Sequence, residues 1–274
     1  MSAAADLREQ LARLLGMDDA ALADGLPALL AQYPDLLKAA LARIDHKPIV
    51  RSIVGSPLRV LPVMRPQPPI ADEYRECGLA ASALQRLIER YSFDTVLDVG
   101  SGAGRHARVL AAHGKTVTKM DFGVSVYFKK ETDGSTTIVG DVNEIELDQT
   151  FDCVWASHVL EHQRNPGRFL EKLKRCLAPD GLLCVTVPPA KLELVGGHVS
   201  LWTPGHLAYH LVLAGFDCSR AEIFQHGYNI SAFVRNSTIE LPPLHYDTGD
   251  IGRLRPYLPR GFNESMDSSR ATTE

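Results

Sequence analysis

No stretch of the 274-residue chain approaches the roughly 18 consecutive apolar residues that a membrane helix needs. The N-terminus, MSAAADLREQ, also lacks the basic-then-apolar order of a signal peptide, so a cytoplasmic protein with no membrane partner is expected. Cysteine is scarce and scattered: Cys77, Cys153, Cys176, Cys184 and Cys218 form no CxxC pair, and free packed thiols are predicted. Excess basic charge is missing too. The 29 Lys+Arg against 33 Asp+Glu leave a net charge of −4, which excludes a whole-molecule electrostatic grip on phosphate backbones. A polyanion partner would need a local basic face. No internal repeat is visible, and 45% hydrophobic with 23% charged residues fits neither a disordered nor a fibrous chain. The length allows fewer than two ordinary domains. What the chain does have is histidine: five of its ten fall between His158 and His210.

Residues 1–70 carry Leu and Ala at helical spacing, broken by Gly16, Pro27 and Pro34, and end in a proline-rich stretch. An N-terminal helical cap and an extended joint are expected there. A helix is predicted from Asp72 to Arg90, with Leu79, Leu84, Leu87 and Ile88 on one stripe. Strand and helix then alternate. TVLDVG, TVTKMD, TTIVGD, FDCVWAS and GLLCVTVPP read as strands, while GRHARVLAAHG, NPGRFLEKLKRCL and PGHLAYHLVLAGF read as helices. AEIFQHGYNISAFVRNS closes the series as an antiparallel hairpin. Such alternation with apolar strands predicts an α/β, Rossmann-like, mostly parallel sheet with helices on both faces, over about 71–237. Residues 238–274 form a C-terminal extension with a disordered tip.

VLDVGSGAGRHA places Gly100, Gly102 and Gly104 at the turn from first strand to first helix, where missing Cβ atoms let the backbone approach a ligand. The spacing is not that of a dinucleotide fingerprint, since Arg105 stands three residues after Gly102. Asp98, two residues before Gly100, would repel a pyrophosphate but suits the ammonium end of an amino-acid ligand. Asp121 ends the second strand, where a carboxylate can accept both ribose hydroxyls. Asp141 ends the third, where it can accept an exocyclic adenine amine while the Val142 N–H donates. Each aspartate alone also fits a turn or a helix cap.

VLDVGSGAG, MD, GD, FDCVWASHVLEH and LKRCLAPDGLLCVTVP, in that order and spacing, resemble the successive motifs of a class I S-adenosylmethionine-dependent methyltransferase over about residues 75–236. The resemblance implies a seven-stranded sheet and S-adenosylmethionine as cofactor. It assigns the methionine part to Asp98, Gly100 and Gly102, the ribose to Asp121, the adenine to Asp141 with Val142, and adds Ser157 to the cofactor set. One stretch departs from the family: between Asp121 and Asp141, where a helix is usual, FGVSVYFKKETDGSTTIVG reads as loop and hairpin.

In ASHVLEH, His158, Glu161 and His162 are spaced i, i+3, i+4, which on a helical turn brings them to one side. Many methyltransferases carry LEH here without a metal, with Glu161 capping backbone and His162 lining the substrate pocket. The segment also resembles the ExxEH motif of ubiquinone-biosynthesis O-methyltransferases and small-RNA 2′-O-methyltransferases, departing from it by His158 at the first position. GGHVSLW resembles the stretch that gives the RNA enzymes a further histidine. The implied metal ligands are His158, Glu161, His162 and His198, a set soft enough for Zn, Mn or Fe to compete with Mg. His206 and His210 read as a solvated or packed helix pair, and Trp202 and Tyr209 as an aromatic wall or as ordinary core.

The expected reaction is methyl transfer to a hydroxyl of a small molecule, sugar, diol or catechol-like, assisted by a divalent ion. Without an ion, His162 or His198 is the catalytic base. An RNA acceptor, or a non-catalytic S-adenosylmethionine-binding protein, is the alternative, and a homodimer is an expected assembly.

Overall fold

A computed structural model describes residues 69–128 and 136–262. The expected N-terminal cap, nearly all of the joint, and the C-terminal tip from 263 lie outside the described residues.

The described residues form one sheet of seven strands, β1 (Thr95–Val99), β2 (Thr116–Asp121), β3 (Thr136–Val139), β4 (Phe151–Ser157), β5 (Leu177–Val187), β6 (Glu222–His226) and β7 (Asn229–Arg235). Their order is 3-2-1-4-5-7-6. β3, β2, β1, β4 and β5 pair in parallel, and β7 inserts antiparallel between β5 and β6. The helices are α1 (Asp72–Arg75), α2 (Ala81–Arg90), α3 (Arg105–Ala112), α4 (Pro166–Arg175), α5 (Pro204–Leu213) and α6 (Asp250–Leu254).

The central strands are apolar on both faces because both faces are covered. Leu97 and Val99 of β1 belong to a core with Phe169 and Leu173 of α4 and Leu207 and Leu211 of α5. Val96, between them in the pleat, belongs to a second core with Leu84 and Leu87 of α2 and Leu110 of α3. Each fully buried Leu or Phe contributes about 2 kcal/mol of transfer free energy. The helices on the first face start where the sequence marks them. Asn165 accepts from the Arg168 N–H at 3.0 Å ahead of Pro166, and Thr203 accepts from the His206 N–H at 3.2 Å ahead of Pro204. All five cysteines are buried thiols.

Three local readings are corrected. The helix expected over 72–90 is two, broken at Cys77–Ala80, where Gly78 (φ 69°) and Ala80 (φ 65°) turn left-handed. The carbonyls freed by the break face His106 Nε2, Cys77 O at 3.3 Å and Leu79 O at 3.1 Å. TTIV joins β2 in parallel rather than as an arm of a hairpin. ASHVLEH holds only a short 3₁₀ turn, Leu160–His162, entered through His158 in the left-handed region (φ 57°). After β7 the chain returns to the first core, where Leu254 and Leu258 pack.

Candidate functional site

β1 has β2 on one side and β4 on the other, so connections leave their carboxyl ends in opposite directions and open a crevice there. The glycine loop fills one side of it. Gly100 (φ 73°), Gly102 (φ 53°) and Gly104 (φ 66°) are left-handed. The Gly100 N–H donates to Met120 O at 2.8 Å, lashing the loop to β2. A Cβ on Gly100 would sit 2.2 Å from Val159 Cγ2, so only glycine lets the loop lie against the segment after β4. The chain after β2 folds back over the loop, with Tyr127 O 3.5 Å from where a Cβ of Gly102 would be.

Asp98 stands in β1 beside Lys119 of β2. It is 2% exposed and its Oδ2 has no hydrogen-bond partner. Burial above all, and the neighbouring Asp121, push its carboxyl up to about 7, with Lys119 pulling the other way. Asp121 is tied to the loop: Oδ2 accepts from the Gly102 N–H at 2.8 Å and Oδ1 from the Gly123 N–H at 2.9 Å. Each oxygen keeps a second lone pair for a hydroxyl. Asp141 Oδ1 accepts from the backbone and side-chain nitrogens of Asn143 at 2.9 and 2.8 Å, which sets the turn that carries the buried Val142. No helix lies between Asp121 and Asp141 among the described residues; 129–135 are outside them. Ser157 ends β4, opposite Thr186 of β5.

Beyond Ser157 the structure brings Glu161, His162 and His198 together, with one ligand atom of each within 4.8 Å of the others. His162 and His198 meet edge to face, ring centroids 5.0 Å apart. The loop after β5 is pinned onto the turn, because Val199 and Ser200 donate to the Glu161 carbonyl at 2.9 and 3.3 Å. His162 Nδ1 lies 2.8 Å from Gly197 O, a carbonyl that can only accept, so Nδ1 carries the proton and Nε2 of the neutral ring keeps a free lone pair. Glu161 is fully buried and its Oε2 has no partner. Burial, with the neighbouring His162, holds His198 below the ordinary histidine pKa despite Glu161. These features fit a cation: a buried carboxylate oxygen without a donor, and an imidazole oriented through its other nitrogen by a backbone carbonyl.

His158 stands apart from that set. Its Nδ1 lies 3.1 Å from Glu161 Oε1 and its Nε2 2.8 Å from Asn229 Oδ1, so both ring nitrogens are engaged. Burial opposes a charge on this ring, but Glu161 and Asn229 outweigh it and raise its pKa. Trp202 is buried, with Nε1 donating to Ser200 Oγ at 2.9 Å and His210 against its ring, and Tyr209 packs on the first core; both are packing residues rather than an open wall. His210 is held below the ordinary pKa by burial and by His206.

Sequence reasoning missed two partners. Asn229, which reaches His158, is 71 residues away along the chain. His106 accepts the Trp155 indole N–H at Nδ1, 3.1 Å, while its Nε2 faces the carbonyls between α1 and α2. Only the return of β7 beside β5 brings Asn229 to β4, and no local pattern signals it. Asn229 also lines a cleft of ≈ 230 Å³ with Ile70, Ala80, Ser82, His226 and Gly227.

Residues 97–185 match the methyltransferase-domain family model. Ubiquinone biosynthesis O-methyltransferase of Rickettsia akari (strain Hartford) is 31% identical over 97 residues, 33% of this chain and 39% of that protein. tRNA U34 carboxymethyltransferase of Pseudoalteromonas atlantica (strain T6c / ATCC BAA-1087) is 34% identical over 109 residues, 36% of this chain and 32% of that protein. The matches span half or less of the length of these curated relatives. Among solved structures, human N-acetylserotonin methyltransferase in complex with SAM aligns at 18% identity and a TM-score of 0.48, over 61% of this chain and 55% of that one. The match over 97–185 takes in the glycine loop, Asp121, Asp141 and β4–β5 of the 3-2-1-4-5-7-6 sheet, and it supports a class I S-adenosylmethionine-dependent methyltransferase domain over that part of the chain.

Proposed function

We propose that the protein transfers a methyl group from S-adenosylmethionine to a hydroxyl of a small molecule, a diol, sugar or catechol, at a site that takes a divalent cation. The convergence of Glu161, His162 and His198 beyond β4 carries this reading. S-adenosylmethionine supplies an electrophilic methyl on a sulfonium, so the protein's task is to align the acceptor and manage its proton. Asp98 offers its unpaired oxygen to the ligand ammonium, Asp121 its remaining lone pairs to the ribose, and Val142 its N–H to the adenine. Glu161, His162 and His198 hold the cation, which would lower the acceptor's pKa and fix its orientation. In the absence of an ion, the free Nε2 of His162 is the base nearest to hand. The likeness to ubiquinone biosynthesis O-methyltransferases supports oxygen as the acceptor atom. The likeness to tRNA U34 carboxymethyltransferase, with the ASHVLEH and GGHVSLW segments, favours an RNA acceptor, and the net charge of −4 weighs against it.

The test is metal analysis of the purified protein, followed by transfer of labelled methyl to a panel of catechols, vicinal diols and sugars before and after chelation. Activity lost on chelation, restored by a divalent ion and absent from His198→Ala supports the reading. Undiminished turnover after exhaustive chelation, with His198→Ala still active, overturns its metal part. Methyl transfer to short RNA with steep salt dependence overturns the small-molecule part.

A further inference from the structure

Glu161 is fully buried and one of its oxygens has no donor, so its rotamer must be held from behind. The holding group is His158, and His158 is itself held. Asn229 Nδ2 donates to the His226 carbonyl at 3.2 Å, and that carbonyl can only accept. The amide orientation is therefore fixed, and Asn229 Oδ1 faces His158 Nε2 at 2.8 Å. Since Oδ1 also only accepts, Nε2 carries a proton. Nδ1 is then left for Glu161 Oε1 at 3.1 Å, and one proton lies between them. The backbone accepts strain for this arrangement: His158 is a non-glycine residue at φ 57°, anchored by its N–H to Thr186 O at 2.8 Å.

We infer that Asn229 and His158 are positioning residues: Asn229 fixes the His158 ring, which engages Glu161 Oε1, the oxygen 3.9 Å from His162 Nε2, and so holds the carboxylate beside His162 and His198. The inference builds on the proposed cation site for its effect on ion affinity. His158 thereby stands behind the ligands rather than among them. Removing Asn229 frees the ring and lets the carboxylate swing, without touching any group assigned to S-adenosylmethionine.

The experiment compares the full-length wild type with Asn229→Leu and Asn229→Asp. Each is titrated with Zn²⁺, with S-adenosylmethionine as a check on folding, and the metal-free proteins are examined by ¹⁵N NMR of the imidazoles. Zn²⁺ affinity is expected to fall about 10- to 100-fold in Asn229→Leu, as for other residues behind a ligand, and to recover in Asn229→Asp, whose oxygen still accepts from Nε2. S-adenosylmethionine affinity stays put. Unchanged Zn²⁺ affinity in Asn229→Leu overturns the inference. If the wild type takes up no Zn²⁺, the cation reading fails on its own, and the metal-free spectra decide. Loss of the His158 Nε2–H signal in Asn229→Leu with displaced His162 and His198 signals supports the positioning role, and unmoved His162 and His198 signals overturn it.

Discussion

Replacing Asp98 with asparagine keeps the shape and removes the charge, and it is expected to stabilise the ligand-free protein near pH 8 while weakening S-adenosylmethionine binding. The carboxyl is buried, with one oxygen unpartnered, and is pushed up to about 7, first by burial and then by Asp121. From the ordinary value of 3.8 to about 7 is roughly three pH units, and at about 1.36 kcal/mol for each the charge costs the fold up to about 4 kcal/mol. An unpaired amide in its place costs about 1–3 kcal/mol, which leaves a net gain of about 1–3 kcal/mol for the variant. Between the unfolded and folded values the native chain keeps a proton that the unfolded chain has lost. Wild-type stability therefore falls as pH rises from about 4 to about 7 and stays at the lower level above, whereas the variant lacks this slope. A bound ammonium favours the ionised carboxyl, so affinity for S-adenosylmethionine rises with pH through this range and binding releases a proton. Urea denaturation of both proteins across the range, and calorimetric titration in two buffers of different ionisation enthalpy, read these quantities. Parallel stability curves, or an affinity indifferent to the substitution, would refute the assignment.

Gly100→Ala combines a left-handed backbone with a Cβ 2.2 Å from Val159 Cγ2, so a loss of about 2–4 kcal/mol is expected in denaturant melts. Adding Val159→Ala should return the steric part and leave the backbone part. His106→Phe strands the buried Trp155 indole N–H and frees the Cys77 and Leu79 carbonyls, for a loss of about 1–3 kcal/mol. Hydrogen exchange should then rise first around residues 77–80. Burial holds the His106 pKa below its ordinary value, and in that window the unfolded chain binds more protons, so wild-type stability rises with pH until the unfolded histidine has titrated. His106→Phe should flatten that rise, and an unchanged profile would show that the ring does not carry it.

The strands were legible because parallel strands covered on both faces write themselves as apolar runs, and β1, β2 and β4 occupy TVLDVG, TVTKMD and FDCVWAS. α4 and α5 were legible from Asn165-Pro166 and Thr203-Pro204, since a cap is a local matter. The break at Cys77–Ala80 was not. Leu79, Leu84, Leu87 and Ile88 keep helical spacing across it, and the partner that takes its free carbonyls, His106, comes 27 residues after Leu79. The same limit applied at ASHVLEH. Its spacing suggested three side chains on one side of a helical turn, but His158 adopts a left-handed backbone that spacing does not encode, and its ring turns to a strand 71 residues away.

The two carboxylates Asp98 and Glu161 meet the same physical constraint from neighbouring strands. Asp98 sits in β1 and Glu161 follows β4, its partner in the sheet, and each has a buried oxygen without a hydrogen-bond donor. A buried carboxylate with an empty lone pair is expensive, and a donor in place of any flanking apolar residue would relieve it. The chain instead leaves both oxygens without one. Lys119 stands opposite Asp98 in the β1–β2 register, and His158 Nδ1 lies 3.1 Å from Glu161 Oε1. Local rules fail in this way where a sequence is shaped for a ligand rather than for stability. The cations that would complete them differ in kind: the ammonium of S-adenosylmethionine beside the glycine loop, and a metal ion where two imidazoles join the carboxylate. On this reading the energetic defect of the ligand-free fold is its specificity for the ligands, and adding both should raise its stability by more than either alone.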